Sequence, residues 1–255
     1  MNSTLRKREI LALLEEHGSV QVGDLANRMG VSKVTIRNDL DELATLGSLV
    51  RTHGGAIIAE NKGSSRYISN TIHEFRKEKE AIASLAVTFV KDGQSIIIDN
   101  GSTTMHIASH LAGRHVTVVT SSLLVMKELM DVESVDLMMA GGILRRPAMG
   151  LMGAFSKDFY RQIHADWYFM GGSGYLSEQG VFCTNLIEAD SKRSMIESAA
   201  KVVFLADSSK MEHPSLAKVC DWSVVDYMIT DRIDAEVRSV IESHGVKVVV
   251  VGEPK

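Results

Sequence analysis

The chain has 255 residues, a net charge of −4 and 45% hydrophobic side chains, which fits roughly two globular domains. Its most apolar runs, SIIID, VTVVT and VKVVVV, are strand-length, so no membrane span is expected. The charged opening MNSTLRKREI lacks a signal-peptide pattern, and Cys183 and Cys220 lack metal-ligand spacing, so a reducing, cytoplasmic setting is expected with both thiols in or near the core.

The first 58 residues carry seven basic side chains (Arg6, Lys7, Arg8, Arg28, Lys33, Arg37, Arg51) and seven acidic ones (Glu9, Glu15, Glu16, Asp24, Asp39, Asp41, Glu42). Net basicity therefore does not advertise nucleic acid, and any DNA binding must rest on where charges are placed and on more than one head acting together. Leu5, Ile10, Leu11, Leu13 and Leu14 form an apolar stripe at near-helical spacing that ends at Gly18. SVQVGDLANRMG reads as a short second helix with Val22, Leu25, Ala26 and Met29 inward. Gly30-Val31-Ser32 is then a tight turn whose serine is a good N-cap. The third helix, SKVTIRNDLDELATLG, buries Ile36, Leu40 and Leu43 and stops at Gly47. SLVRT, HGG and AII follow as a small hairpin.

Helix, short helix, glycine turn, capped helix and hairpin make the layout of a winged helix-turn-helix. A three-helix bundle for protein contacts is the plainer alternative, and the exposed face argues against it. With Ile36 and Leu40 inward, Lys33, Val34, Arg37 and Asn38 face outward near the start of the third helix, where donors suit base edges and phosphates. Arg51 and His53 sit on the wing, within reach of a neighbouring backbone.

Residues 59–75 are polar and aperiodic and read as a linker. From Arg76 an amphipathic helix leads into alternating strands and helices through to VKVVVVG. Near-continuous apolar strands separated by helices predict a largely parallel sheet covered on both faces, an α/β domain over 76–255.

Ligands in such sheets bind beyond the carboxyl ends of the strands. Those ends here are DNGSTT, TSS, GG, GGSG and DSSK, small hydroxyls and glycines suited to a phosphate and a polyhydroxylated body. The sharpest is Asp99-Asn100-Gly101-Ser102-Thr103-Thr104. Gly101, Ser102, Thr103 and Thr104 would cradle a phosphate, while Asp99 would accept from a sugar hydroxyl or anchor the loop; an ordinary N-cap and turn is the alternative. No Gly-Lys-Ser/Thr follows, so this is not a nucleotide-hydrolysing loop. Lys210 would neutralise a phosphate or carboxylate, or simply be solvated. Glu188 and Lys192 have i, i+4 spacing, which by itself favours a surface salt bridge over ligand contact. His106 and His110 have metal-ligand spacing without a third ligand, so no metal is expected. Arg145 and Arg146 either meet an anion or face water. No serine or cysteine has an evident base beside it, so no catalytic residue is assigned.

VSKVTIRNDLDELATLGSLVRTHGGA resembles the N-terminal signature of DeoR-type bacterial regulators, roughly VSxxTIRRDLxxLxxxGxLxRxHGGA. IIIDNGSTT, TVVTSSL, AGGILR, FMGGSGYLSEQGV, EADSKRSMI and LADSSK resemble the sensor domain of the same family, a relative of ribose-5-phosphate isomerase and the CoA transferases. The resemblance implies an oligomeric regulator of sugar metabolism, usually a repressor, that binds a double-stranded DNA operator and answers to a phosphorylated intermediate, with no cofactor. It puts Ser32, Lys33, Thr35, Arg37 and Asn38 in recognition-helix roles. It puts Asp99, Gly101, Ser102, Thr103, Thr104, Ser121, Gly141, Glu188, Lys192 and Lys210 on the ligand rim. Two positions depart from the pattern. Asn38 replaces a frequent second arginine. Gly174-Tyr175-Leu176 stands where many members read Gly-Ile-Asp, and the missing carboxylate suggests an effector with its own negative charge, such as a phosphorylated sugar acid. An isomerase or CoA transferase is the competing reading, since Asp99 or Glu188 could act as a base. Against it, the glycine-rich lysine/glutamate stretch of the isomerases is not reproduced.

Overall fold

The computed structural model describes residues 3–45, 49–52, 54–58 and 68–253. The chain divides into two compact units, Met1–Ser64 and Ser65–Lys255. Gly47, His53 and residues 59–67 lie outside the described residues.

In the first unit, α1 (Ser3–His17), α2 (Val22–Met29) and α3 (Lys33–Thr45) pack with a small sheet of β1 (Ser19–Gln21), β2 (Leu49–Arg51) and β3 (Gly55–Ile58) in the order β1-β3-β2. Ile10, Leu14, Leu25, Ile36, Leu40 and Leu49 form its core. Ser19–Gln21, expected at the start of the second helix, is instead a strand. Its burial alternates, with Val20 inside and its neighbours out, the period of a strand rather than a helix. It pairs antiparallel with Gly55–Ile57. A side chain at Gly55 would stand 1.8 Å from the Val20 carbonyl oxygen, so only glycine allows this approach. α2 ends on Gly30 in the left-handed region at φ 64°. The buried Arg6 guanidinium ties α1 to α3 through Asp39, with Nη2 donating to Oδ1 at 3.1 Å.

The second unit opens with α4 (Ile68–Thr71) and α5 (Arg76–Val87). Residues 68–71, expected within a linker, are thus helical, and Ile68 is buried. Then follow β4 (Ser95–Ile98), a 3-10 helix (Thr104–His110), β5 (Val116–Thr120), α6 (Leu123–Leu129) and β6 (Val135–Met139). Next come β7 (Ile143–Arg145), β8 (Gly150–Met152), α7 (Ala154–Tyr160), β9 (Ala165–Met170), β10 (Gly174–Leu176) and β11 (Gly180–Cys183). The unit closes with α8 (Leu186–Glu197), β12 (Ala199–Leu205), β13 (Ala217–Cys220), β14 (Tyr227–Thr230), α9 (Ala235–Ser243) and β15 (Lys247–Val250). Seven of these strands form one sheet, ordered β15-β14-β12-β9-β4-β5-β6, in which every pairing is parallel.

Alternate residues of each central strand enter opposite apolar layers. Ile97, Tyr168 and Phe204 join Tyr160, Met195 and Ile241 of the α7, α8 and α9 side. Ile96, Ile98, Phe169 and Val203 join Ile82, Ile107 and Val125 of the α5, 3-10 and α6 side. Burial on both faces is why these strands read as unbroken apolar runs. The protein is therefore α/β, as expected, with two antiparallel additions: the β7–β8 hairpin and the β10-β11-β13 sheet. Among the described residues, no helix is long and apolar enough to cross a membrane.

Candidate functional site

Helix α3 starts under the Ser32 side chain, whose Oγ accepts from the Thr35 amide at 3.1 Å and lies 2.9 Å from the Thr35 hydroxyl. Ile36 and Leu40 are fully buried, which turns Lys33, Val34, Arg37 and Asn38 to solvent. Much of this unit's positive charge is engaged internally. Arg6 pairs with Asp39, Lys7 with Glu42, Arg28 with Glu9 and Arg51 with Asp41. Arg51 also donates to the Gly55 carbonyl at 2.7 Å, so its guanidinium is engaged at the base of the wing. Lys33 and Arg37 have no acidic partner among the described residues. Among the described residues, the unmatched positive charge of this unit thus lies at the exposed start of α3.

In the second unit the parallel strands all end on one side, and the turns after β4, β9 and β12 meet there in a cleft of about 100 Å³. Gly101 and Ser102 line it from the first turn, Gly172 and Ser173 from the second and Lys210 from the third. Arg145 of β7 and Glu188 and Lys192 of α8 complete its polar wall, with Thr184 just before that helix. The Asn185 side chain caps α8, accepting from the amides of Ile187 at 2.9 Å and Glu188 at 3.3 Å. That cap fixes where Glu188 and Lys192 project.

Beneath the cleft lies a buried polar network. Asp99 is completely buried; Oδ1 accepts from the Asn100 amide and Oδ2 from the Gly171 amide, both at 2.8 Å, and Oδ2 is also ion-paired with the Lys192 ammonium. Asp99 thus anchors the loop from beneath and does not line the cleft. Lys192 is also 3.7 Å from Glu188. The expected surface salt bridge is therefore a buried charge cluster whose principal pair is Asp99–Lys192. Burial alone would lower the pKa of the Lys192 ammonium, but Asp99 and Glu188 more than offset this and hold it above the usual lysine value. Burial pushes the Glu188 carboxyl above the usual carboxylate range, and Lys192 offsets only part of that.

Of the ten residues expected on the rim, Gly101, Ser102, Glu188, Lys192 and Lys210 line the cleft. The others do not. Thr104 is fully buried, with its hydroxyl 2.9 Å from the Asp99 carbonyl oxygen; Thr103 is buried beside it. Ser121 is buried and donates to Asn100 Oδ1 at 3.1 Å, which orients Asn100. Gly141 is exposed away from the cleft, and its carbonyl accepts from Ser156. Leu176 does not line the cleft either, so the step from its missing carboxylate to a sugar acid loses its footing; its carbonyl holds Trp222 Nε1 at 3.0 Å. Asn100, Thr184, Ser173, Ile68 and Thr71 line the cleft without having been singled out. Asn100 and Ser173 were legible as members of the strand-end turns, whereas Ile68 and Thr71 carried no signal.

His106 and His110 lie in a 3-10 helix rather than an α-helix, so residues four apart point about 120° from one another. No group of three His, Cys, Asp or Glu among the described residues is placed to hold a metal ion. Burial pushes the Cys183 thiol up to about 11 and that of Cys220 to about 12, which leaves both poor nucleophiles.

The profile of the DeoR-like helix-turn-helix domain matches residues 6–62, and that of the DeoR C terminal sensor domain matches residues 74–232. The chain belongs to the DeoR family. It is 35% identical over 247 residues to the HTH-type transcriptional regulator GlpR of Haloferax volcanii, covering 96% of each chain. It is 31% identical over 232 residues to the glycerol-3-phosphate regulon repressor of Escherichia coli K12, covering 91% of this chain and 92% of that one. Among solved structures it is similar to ribose 5-phosphate isomerase A from Methanocaldococcus jannaschii, at 19% identity and a TM-score of 0.40 over 54% of this chain and 55% of that one. As a member of the DeoR family the chain is a DNA-binding transcriptional regulator rather than an enzyme.

Proposed function

We propose that this DeoR-family regulator represses a carbohydrate-metabolism operon from the cytoplasm and is controlled by a phosphorylated sugar bound in the strand-end cleft. The observation that carries the reading is convergence: Lys210, Arg145 and the Gly101-Ser102 turn come from three separate stretches of chain to one small polar cleft. Cations and close-approaching backbone amides suit a phosphate, and the Glu188 carboxyl beside them suits sugar hydroxyls. A relative that is a glycerol-3-phosphate regulon repressor is consistent with such an effector.

Ser32, Lys33, Thr35, Arg37 and Asn38 are the proposed DNA contacts, with Lys33 and Arg37 supplying the charge. A head with so little net charge binds weakly alone, so pairing of heads in a homo-oligomer, a dimer or tetramer, provides useful affinity. Exposed Ile143, Phe155 and Leu186 offer apolar surface for assembly. Effector and operator then alter one another's affinity by the same factor.

The test is operator binding by the full chain, followed by fluorescence anisotropy, with each phosphorylated sugar paired against its unphosphorylated parent. A phosphorylated compound that shifts operator affinity while its parent does not is the expected result. Equal responses to both members of every pair would remove the phosphate from the account.

A further inference from the structure

The cleft wall includes one element whose place in the chain is unusual. Helix α4, Ile68–Thr71, is the first described structure after the connecting residues 59–67, and both its terminal residues line the cleft. It packs against the 3-10 helix Arg146–Ala148, which supplies Pro147 and Ala148 to the same cleft. A single helical turn has no stability of its own, so tertiary contacts hold α4 in place.

Two features do so. Ile68 is buried. Lys79 of α5, only 1% exposed, donates from Nζ to the Thr71 carbonyl at 2.6 Å. Burying an ammonium group is costly unless it is well bonded, so this lysine belongs where a free helix-end carbonyl must be held. The joint between α4 and α5, by contrast, turns on Phe75, a bulky residue at φ 52°. Such a conformation is costly and persists only where surrounding contacts impose it. A one-turn helix joined to its unit through a strained residue is an element of the kind that opens locally.

We infer that α4 is the strap that links occupancy of the cleft to the DNA-binding unit, and that Lys79 is its positioning residue. A molecule in the cleft touches Ile68 and Thr71 and so favours the docked strap over the released one. Docking holds residues 68–71 against the cleft, and release frees the end of the second unit from which the chain runs back to the DNA-binding unit. The ligand half of this inference rests on the cleft reading above; the half joining strap to DNA does not.

The experiment uses the full chain, a duplex that the wild-type protein selects from a random pool, and inorganic phosphate as the cleft probe. Hydrogen exchange is followed at residues 68–75, at Gly101-Ser102 and in β4 and β9. The duplex is expected to change exchange at 68–75 and leave β4 and β9 as they were. Lys79→Met, folded by circular dichroism, is expected to shift duplex affinity by roughly 2- to 30-fold; Lys79→Arg restores most of it. A lysine that only stabilises the second unit would leave that affinity untouched. Unchanged exchange at 68–75 on adding duplex overturns the inference, and decides alone if Lys79→Met fails to fold. Wild-type affinity in a folded Lys79→Met variant also overturns it. Phosphate that protects Gly101-Ser102 but not 68–75 overturns the ligand half. A duplex response at 68–75 without any phosphate protection supports the strap and counts against the phosphate reading instead.

Discussion

The two units place their polar side chains in opposite ways. At the start of α3, Lys33, Arg37 and Asn38 stand in solvent on a helix held from below by Ile36 and Leu40. At the strand ends of the second unit, Asp99, Thr104, Ser121 and Lys192 are buried and satisfy one another or nearby backbone, beneath a cleft that Ser102, Glu188, Arg145 and Lys210 also line. A duplex is a large partner, and on the proposed reading exposed side chains such as Lys33 and Arg37 meet it without being part of the core. A small molecule needs a shaped cavity, and much of the polar chemistry beneath this one holds its shape. Substitutions of the exposed Lys33, Arg37 and Asn38 should therefore cost binding without stability, and those under the cleft should cost stability first.

The largest effect expected from this contrast is at the buried pair. Asp99→Ala or Lys192→Ala leaves an uncompensated buried charge and should destabilise the chain by about 3–5 kcal/mol in urea unfolding. A loss below about 1 kcal/mol would place the pair in solvent-like surroundings and erase the contrast. Next is Arg37→Ala, expected to weaken operator binding by about 1–3 kcal/mol with an unchanged melting temperature. If it melted early and bound normally, Arg37 would belong to the fold. The two helix caps sharpen the comparison: Ser32→Ala and Asn185→Ala should each cost about 1 kcal/mol of stability. Only the first should disturb DNA binding and only the second the cleft; a cap whose loss disturbs both would blur the division.

The smallest effect is one of pH. Because burial raises the Glu188 carboxyl pKa in the folded chain, the folded state holds a proton that the unfolded state releases. Stability from this group is thus full at low pH and falls as pH rises from the ordinary carboxylate range through the folded value. Glu188→Gln should flatten that decline and be the more stable form at neutral pH. A variant that declines with the wild type would assign the loss to other groups.

How much was legible in advance follows the same division. The helix-turn-helix was readable because its signals are local: the apolar spacing, Gly30, and Ser32 three residues before Thr35. The parallel strands were readable because burial on both faces makes runs such as Ile96-Ile97-Ile98. The hairpin β7–β8 and the sheet β10-β11-β13 were not, since strands of three or four residues broken by glycines carry too little pattern. The role of Asp99 was not legible either. Its partner Lys192 lies 93 residues away, and no local spacing distinguishes a carboxylate turned into the cleft from one turned beneath it. Ile68 and Thr71 sat in polar, aperiodic sequence, and only the fold places them at the cleft.

The most direct test of the account is thermal unfolding of the full chain against a panel of phosphorylated sugars and sugar acids, with Ser102→Asp as the matched control. The full chain is required because a fragment beginning at residue 76 would lack Ile68 and Thr71. A phosphorylated compound at about a hundred times its dissociation constant should add about 2.7 kcal/mol of stability to the wild type and nothing to the variant, whose new carboxylate occupies the phosphate position. If no phosphorylated compound stabilises the wild type, or if the variant responds equally, the cleft is not a phosphate site. The DNA-binding account would then stand without a sensor in this cleft.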